Sequence, residues 1–264
     1  MIPSDICSYP SDTLKKLSIR LKNKAHKRTY KLKKYPWKIP TSVIPLHIYQ
    51  IWHNLDEMPS PVKKSINLLK QQNPEFEHHL YDERMARNYI HTHFSKDVLD
   101  AYDTVIPHAL KADIWRYCVM YKDGGIYLDS KYYGINNFKF IYLTDKEYFC
   151  KDRMLSFYGI YNAIFICKPG NLIMLKTIQQ FVKNTKDKYY GTSSLCIGPL
   201  MIKQFFTDLQ ITHFDLTHEY VNTSTRFINY KGYRILKYNK DYSKYRPDTH
   251  WAMNWRNKTI YLTK

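Results

Sequence analysis

The chain has 264 residues, of which 41 are Lys or Arg and 23 are Asp or Glu, so its formal net charge is +18. This length favours one enzyme-sized α/β domain with a sizeable core. No run is long enough to span a bilayer, no secretory signal pattern opens the chain, and no Cys-x-x-Cys occurs, which argues against a membrane-spanning or disulfide-stapled protein.

Basic residues are concentrated near the N-terminus. Residues 13–38 hold eleven Lys and Arg and no Asp or Glu, and Ser11-Asp12 can cap a helix with three leucines on one face. We therefore predict a basic helical extension over residues 1–40 and a single domain over residues 41–264. The helix either is solvated and packs by one edge on the domain, or docks on an anionic membrane or polyanion. We expect no specific nucleic-acid recognition, because no zinc finger, RNP motif or helix-turn-helix is recognisable.

From residue 43 onward the pattern alternates strands and helices. The predicted strands cover residues 43–51, 76–81, 126–128 and 162–167. The predicted helices cover residues 61–72, 82–91 and 172–182, a segment around Asp113 and a segment that begins at residue 197. This βαβα order predicts an α/β fold with a mainly parallel central sheet flanked by helices. The tyrosine-rich region from Asp215 to the end shows a less regular pattern.

The most informative segment is a helix, a glycine break and a short buried strand that ends in a carboxylate. Asp113 and Arg116 are three residues apart and so share one face of the predicted helix. Gly124-Gly125 ends that helix, because glycine accepts the left-handed conformation without a Cβ clash. Asp129 follows the strand, and ligands of open α/β sheets lie outside the carboxyl ends of the strands. A carboxylate there can hold a divalent cation that binds a diphosphate.

The segment "ADIWRYCVMYKDGGIYLDSK" resembles the core motif of the OCH1-like, DXD-type sugar-binding glycosyltransferases (family 32). It is more distantly similar to the glucosyltransferase domain of the large clostridial toxins. The family pattern is Ala-Asp-x-x-Arg followed by Gly-Gly-x-Tyr-x-Asp-x-Asp. Seven of its positions match, and the last Asp is replaced by Lys131.

Other segments extend the resemblance over most of residues 44–255. They are "IPLHIYQIWHN", "NPEFEHHLYDE", "NAIFICKPGN", "IGPL" and the C-terminal "HWAMNW". The resemblance implies a GT-A fold, a UDP- or GDP-linked hexose donor, a glycan or protein hydroxyl as acceptor, and transfer with retention of configuration. It also implies Mn²⁺ or Mg²⁺ as cofactor. The rival hypothesis is a non-catalytic nucleotide-sugar or glycan-binding homologue that lost activity when Lys replaced Asp.

The resemblance gives roles to individual residues. It implies that Asp113 and Arg116 contact the donor sugar and its phosphates, that Asp129 binds the metal, and that Asn254 reaches the same metal. The residues implied to bind the donor are Gln50, Trp52, Tyr127, Asn162, His250 and Trp255. Ordinary structural roles stay open for these positions: a core tryptophan, a surface ion pair, a turn aspartate, a structural histidine.

Lys131 is the departure from the pattern that bears most on mechanism. Residues two apart on a strand point the same way, so we expect Asp129 and Lys131 to face one space. A hard cation loses affinity when an ammonium replaces a carboxylate ligand. Three outcomes remain open: the metal still binds through Asp129, Lys131 itself neutralises the leaving diphosphate, or activity is lost.

Composition alone indicates the cellular setting. The five cysteines are scattered and odd in number, which predicts free thiols in a reducing compartment. We therefore expect a cytoplasmic protein, or one bound peripherally to a membrane. The richness in Lys, Asn, Ile and Tyr is typical of an AT-rich genome such as that of a virus or parasite.

Overall fold

The computed structural model describes residues 35–152, 159–191, 198–245 and 251–262. Nearly all of the predicted basic helix lies outside these residues, and so does His250. Among the described residues, no helix combines the length and the apolar character needed to cross a membrane.

Within the described residues, nine strands form one sheet, and all helices but the last lie between strands in the chain. The strands are β1 (His47–Ile51), β2 (Glu77–Tyr81), β3 (Gly125–Leu128), β4 (Tyr132–Gly134), β5 (Tyr148–Asp152), β6 (Gly159–Cys167), β7 (Leu216–Asn222), β8 (Thr225–Tyr230) and β9 (Tyr233–Tyr238). The α-helices are α1 (Ser60–Gln72), α2 (Glu83–His93), α3 (Lys96–Thr104), α4 (His108–Lys122), α5 (Leu172–Lys186), α6 (Pro199–Lys203), α7 (Asp208–Thr212) and α8 (Trp251–Arg256).

Most predicted elements are confirmed within a few residues. Strand β1 begins at His47 rather than at residue 43, after Pro45, which has no N–H to give to a sheet. Helix α2 is capped by Asp82, whose side chain accepts a hydrogen bond of 2.7 Å from the Met85 N–H. The sequence pattern did not predict α3, β4 or β5.

The sheet is mixed, so the expectation of a mainly parallel sheet is wrong. Its strand order is β2-β1-β3-β6-β5-β7-β8-β9-β4, and within the described residues the parallel pairs are β1/β2, β1/β3 and β5/β7. The antiparallel pairs β3/β6 and β4/β9 join strands that are far apart in the chain. The pairs β7/β8 and β8/β9 are antiparallel because short turns join consecutive strands, whereas a parallel pair needs a long crossover. At one such turn, Lys231 and Gly232 both have positive φ (47° and 83°), as a two-residue hairpin requires.

The region after Asp215 is more regular than predicted. It contains the antiparallel meander β7-β8-β9. Its tyrosines and β-branched residues suit a half-buried pleated surface. The polar residues between them obscure the alternation of apolar and polar side chains from which strands are predicted.

Two apolar layers sandwich the sheet. On one face helices α2 to α5 pack against side chains such as Tyr127 and Phe165. On the other face Ile126 and Leu128 pack with Phe138 and Phe140. The alternation along β3 therefore points Tyr127 at α4 and its two neighbours away from α4.

The glycine break that separates α4 from β3 is present as predicted. Gly124 has φ +66° and Gly125 has φ +98°. A Cβ on Gly124 would lie 2.6 Å from the Pro169 nitrogen and 2.7 Å from the Cys167 oxygen. The chain can therefore reverse at this point against the end of β6 only with glycine.

Candidate active site

Asp129 lies directly beyond β3, where neighbouring strands on both sides hold the chain in place. Its N–H donates to the Ala163 carbonyl of β6 at 2.9 Å. The next residue, Ser130, donates its hydroxyl to the Ile51 carbonyl at the end of β1 at 3.1 Å. The Asp129 side chain is only 10% exposed, so β3 places a nearly buried carboxylate at a fixed position.

Helix α4 supplies the other two charges of the predicted catalytic set. Arg116 Nη2 lies 3.3 Å from Asp113 Oδ1, and Arg116 Nη1 lies 3.3 Å from Asp129 Oδ1. The guanidinium also stacks over the Tyr127 ring, with 4.5 Å from Cζ to the ring centroid. A single buried arginine thus bridges the two carboxylates.

Asn162 of β6 completes this cluster from the antiparallel neighbour of β3. Its side-chain amide donates to Asp113 Oδ1 at 3.3 Å and to the Tyr117 hydroxyl at 2.8 Å, and its backbone carbonyl accepts from Arg116 Nη1. A Cβ on Gly198 would lie 3.4 Å from Asp113 Oδ2. The Gly-Pro segment that begins α6 therefore passes close to the cluster.

Lys131 reaches Asp129 through a turn and not through strand geometry. The Tyr132 N–H donates to the Asp129 carbonyl at 3.0 Å, which reverses the chain before β4 begins. Lys131 Nζ lies 2.6 Å from Asp129 Oδ2 and 5.8 Å from the centre of the Tyr161 ring. The two side chains share one space, as expected, and they share it as an ion pair.

The two carboxyl groups of the cluster are shifted in opposite directions. Burial raises the pKa of Asp113 above its ordinary value, even with Arg116 beside it. Burial acts the same way on Asp129, but Lys131 and Arg116 together outweigh it and lower the pKa of Asp129. The carboxylate of Asp129 raises the pKa of Lys131 against the effect of burial, so this pair stays charged.

The donor set that remains does not fit a divalent metal. Asp129 Oδ1 accepts the Tyr127 hydroxyl at 2.6 Å, and Oδ2 is paired with Lys131. Mg²⁺ and Mn²⁺ need anionic or neutral oxygens with free lone pairs, whereas both oxygens of Asp129 already contact donors. An ammonium group thus occupies the position in which the family pattern has a second carboxylate.

Gln50 and Trp52 lie at the end of β1, the neighbour of β3. Both side chains are nearly buried, and neither Gln50 Nε2 nor Trp52 Nε1 has a hydrogen-bond partner among the residues that the structure describes. Trp52 packs with Met58, Val62 and Ile66, and its ring meets Tyr242 edge-on at 5.6 Å. Their role in binding the donor stays a prediction.

The C-terminal residues of the predicted set lie on α8. Trp255 donates its indole N–H to the Tyr190 carbonyl at 2.6 Å, and the Asn254 carbonyl accepts the Thr259 N–H at 2.9 Å. Their predicted contacts with the donor and the metal stay predictions, as does the role of His250.

Sequence reasoning missed a chain of buried groups beside Lys131. Asp152 Oδ1 lies 2.9 Å from His218 Nδ1, and the His218 ring stacks on Tyr161 with 3.8 Å between centroids. The Tyr161 and Tyr132 hydroxyls are 2.7 Å apart. No sequence motif identifies these residues, because the chain has 25 tyrosines and nothing in the sequence distinguishes Tyr161 or Tyr132 from the others.

Comparison with known proteins agrees with this geometry. Residues 59–142 match the family described as "Glycosyltransferase sugar-binding region containing DXD motif". An uncharacterised glycosyltransferase of Acanthamoeba polyphaga mimivirus is 34% identical over 88 residues, which is 33% of this chain and 35% of that protein. Inositol phosphoceramide mannosyltransferase 2 of Schizosaccharomyces pombe is 28% identical over 174 residues, which is 61% of this chain and 45% of that protein. The matched segments thus span less than half the length of these relatives.

The fold resembles that of a solved structure, the PaToxG glycosyltransferase, with a TM-score of 0.51 and 20% identity over 73% of this chain and 75% of that one. The arrangement of helices on a mixed sheet is thus the α/β fold of that structure. The family match covers residues 59–142, and within that segment the motif of this chain is Asp129-Ser130-Lys131.

Proposed function

We propose that this protein is a glycosyltransferase that moves a hexose from a nucleotide sugar to a glycan or protein hydroxyl. Mannose is the best-supported sugar, since curated relatives from Schizosaccharomyces pombe and Candida albicans are named mannosyltransferases. The observation that carries the proposal is the buried cluster of Asp113, Arg116, Asp129 and Lys131 beyond the end of β3.

The groups of the cluster divide into fixed and accessible ones. Arg116 is 5% exposed and is already engaged by two carboxylates and a carbonyl, so it positions Asp113 and Asp129. The Lys131 side chain is 25% exposed and is the cation that a diphosphate can reach. We assign Lys131 to the leaving diphosphate, as a preorganised positive charge that stabilises the departing oxygens.

The carboxylates bind the sugar in this proposal. When Lys131 turns from Asp129 toward the diphosphate, Asp129 Oδ2 becomes free to accept a sugar hydroxyl, while Oδ1 stays with Tyr127 and Arg116. Asp113 accepts hydroxyls from the same side. Because Arg116 restrains both carboxylates, neither is placed as a covalent nucleophile, which supports attack and departure on one face of the ring and retention of configuration.

The test is a panel of UDP- and GDP-hexoses incubated with the protein, with release of the nucleoside diphosphate as the measurement. We expect turnover of a GDP- or UDP-hexose, with GDP-mannose favoured, and we expect it to persist in a chelator. A protein that is stabilised thermally by a donor but never releases the diphosphate would instead support the non-catalytic binding homologue. The closure of Lys131 on Asp129 is the observation that favours this second candidate.

We also propose that the basic segment docks the enzyme on an anionic surface. The support is the run of eleven basic residues without an acid in residues 13–38. Tyr35 and Trp37 stack on each other at 4.8 Å and contact the Phe138 ring, so a truncation must spare them. Removal of residues 1–34 should abolish salt-sensitive binding to phosphatidylserine vesicles and leave donor turnover unchanged. Unchanged vesicle binding would refute this role.

A further inference from the structure

Two histidines and a glutamate converge where β1 and β2 begin. His47 Nδ1 lies 3.1 Å from His79 Nε2 and 3.4 Å from Glu77 Oε2, and His79 Nε2 lies 3.7 Å from Glu77 Oε1. One ligand atom from each residue lies within 4.8 Å of the others. Two imidazole nitrogens and a carboxylate this close together form a ligand set typical of transition metals, and a metal would replace the hydrogen bond between the two rings.

The parallel register of the two strands brings these side chains together. His47 is aligned with Glu77, and Tyr49 with His79. Because alternate residues of a strand share a face, all four side chains lie on one side of the sheet. Two adjacent strands thus supply a three-residue cluster without any loop, which fixes the ligand spacing by backbone hydrogen bonds.

Neighbouring groups hold both rings. The Tyr49 ring stacks on His79 with 4.7 Å between centroids and 14° between planes. A Cβ on Gly125 would lie 2.8 Å from the His47 carbonyl and 3.2 Å from the His47 Cβ, so β3 packs directly against this residue. Glu77 is exposed, which leaves a path from solvent to the cluster.

The distances fit a tetrahedral ion. Zinc–nitrogen and zinc–oxygen bonds of about 2.0–2.2 Å give ligand-to-ligand edges of about 3.3–3.6 Å in a tetrahedron. The separations of 3.1, 3.4 and 3.7 Å lie close to those edges, but the two histidines contact different oxygens of Glu77. Coordination through one oxygen therefore needs a small rotation of the exposed Glu77 carboxylate. With three protein ligands, water is left to fill the fourth position.

We propose that His47, Glu77 and His79 form a binding site for a divalent transition metal of the zinc type. The site lies at the amino edge of β1 and β2, whereas the charged cluster lies beyond the carboxyl edge of β3. From His47 to Ile51, β1 separates the two edges by about 13 Å. Since β2 is the edge strand of the sheet in the described part of the chain, the metal would link that strand to its neighbour β1. The inference is independent of the proposed glycosyl transfer.

The test is a titration of the full chain with Co²⁺, followed by visible absorption and by displacement with Zn²⁺. We expect one saturable equivalent with the absorption of a four- or five-coordinate ion. His47→Ala, His79→Ala and Glu77→Gln should each weaken Co²⁺ binding by at least about tenfold. Zn²⁺ should raise the Tm of the native protein and not that of His79→Ala, because a ligand stabilises only the state that binds it.

Two controls make the result specific. His91→Ala, which removes an exposed histidine on α2, should leave the Co²⁺ titration unchanged. Asp129→Asn should also leave it unchanged, because that carboxylate belongs to the other edge of the sheet. An identical titration for native protein and His79→Ala would overturn the proposal, as would the absence of a saturable band. Loss of the band in Asp129→Asn alone would place the metal at the charged cluster and refute this site. That outcome would also contradict the metal-independent role proposed for Lys131, but not the proposed glycosyl transfer.

Discussion

Two arginine–aspartate groups in this protein differ in burial and in hydrogen-bond geometry. The exposed group has the shorter hydrogen bonds, and the buried group has the longer contacts. At the surface, Arg87 makes two nearly ideal hydrogen bonds to Asp103, of 2.8 and 2.7 Å, with its side chain 51% exposed. In the cluster, Arg116 reaches two carboxylates at 3.3 Å each, with its side chain 6% exposed.

This comparison shows why burial, rather than hydrogen-bond geometry, decides how much folding stability is lost when such a group is broken. Exposed pairs gain little, because water competes for both partners and the side chains lose entropy. A buried charge that loses its partner has no water to replace it. The surface pair therefore serves as a matched control for the cluster.

The largest expected effect is on stability. Arg116→Met leaves Asp113 and Asp129 buried without their shared cation, and we expect the free energy of unfolding to fall by about 3–5 kcal/mol. Arg87→Met should leave it close to the native value. Urea unfolding followed by circular dichroism measures both. Equal stability of the two variants would show that Arg116 does not hold the carboxylates.

The next effect is on turnover. Asp129→Asn keeps the shape of the side chain and removes its charge, and we expect donor turnover to fall by at least about a hundredfold. Asp103→Asn makes the same change in the surface pair and should not alter turnover. The measurement is release of nucleoside diphosphate under saturating donor. A folded Asp129→Asn variant with native activity would contradict the site.

A third change tests what Lys131 does. Lys131→Asp places two carboxylates in one space, so divalent-metal affinity should rise and turnover should become dependent on Mn²⁺. The native protein should work in a chelator. Lys146→Asp is the matched control, since Lys146 pairs with Asp215 at 2.8 Å on the surface.

The outcome of that experiment separates the hypotheses for Lys131. Turnover by the native protein that requires Mn²⁺ would refute Lys131 as the group that stabilises the diphosphate. Identical Mn²⁺ curves for the native protein and Lys131→Asp would show that position 131 does not face the donor.

The smallest effect is a pH dependence that distinguishes the two carboxylates. The pKa of Asp129 is lowered from 3.8, so its charge stabilises the fold above that pH, and this contribution is lost as the pH falls through the lowered value. The pKa of Asp113 is raised from 3.8. Its ionisation therefore destabilises the fold as the pH rises from 3.8 through the raised value.

Chemical unfolding at several pH values between about 3 and 7 measures this contrast. Asp129→Asn should be less stable than the native protein at neutral pH, and the gap should narrow in acid. Asp113→Asn should gain stability relative to the native protein as the pH rises. The same pH trend for both variants would show that the two carboxylates do not have opposed shifts.

The sequence predicts the part of the site that depends on local spacing. Asp113 and Arg116 lie three apart on one helix, and Asp129 follows a short apolar strand after two glycines, so their convergence is implied by the motif. Asn162 was found only through the family resemblance. It reaches the cluster because β6 runs antiparallel to β3, and the start of β6 therefore meets the end of β3.

Features that depend on a turn or on the pairing of distant strands could not be predicted from periodicity. The contact of Lys131 with Asp129 depends on a turn, although the prediction rested on strand geometry. Asp152, His218 and Tyr161 meet only because β5, β6 and β7 are neighbours in the sheet. Hydrophobic periodicity in the sequence indicates which face of a helix or strand is apolar. It does not indicate which elements are neighbours in the fold.

The glycine at position 124 limits how this protein can vary by mutation. A Cβ there would meet two backbone atoms, the Pro169 nitrogen and the Cys167 oxygen, and backbone cannot rotate away as a side chain can. Any larger residue would therefore shift β3 along β6 and displace Asp129 together with its whole strand. Substitution at the charged cluster is thus confined to side chains such as Lys131, which can be exchanged one at a time on a backbone that stays in place.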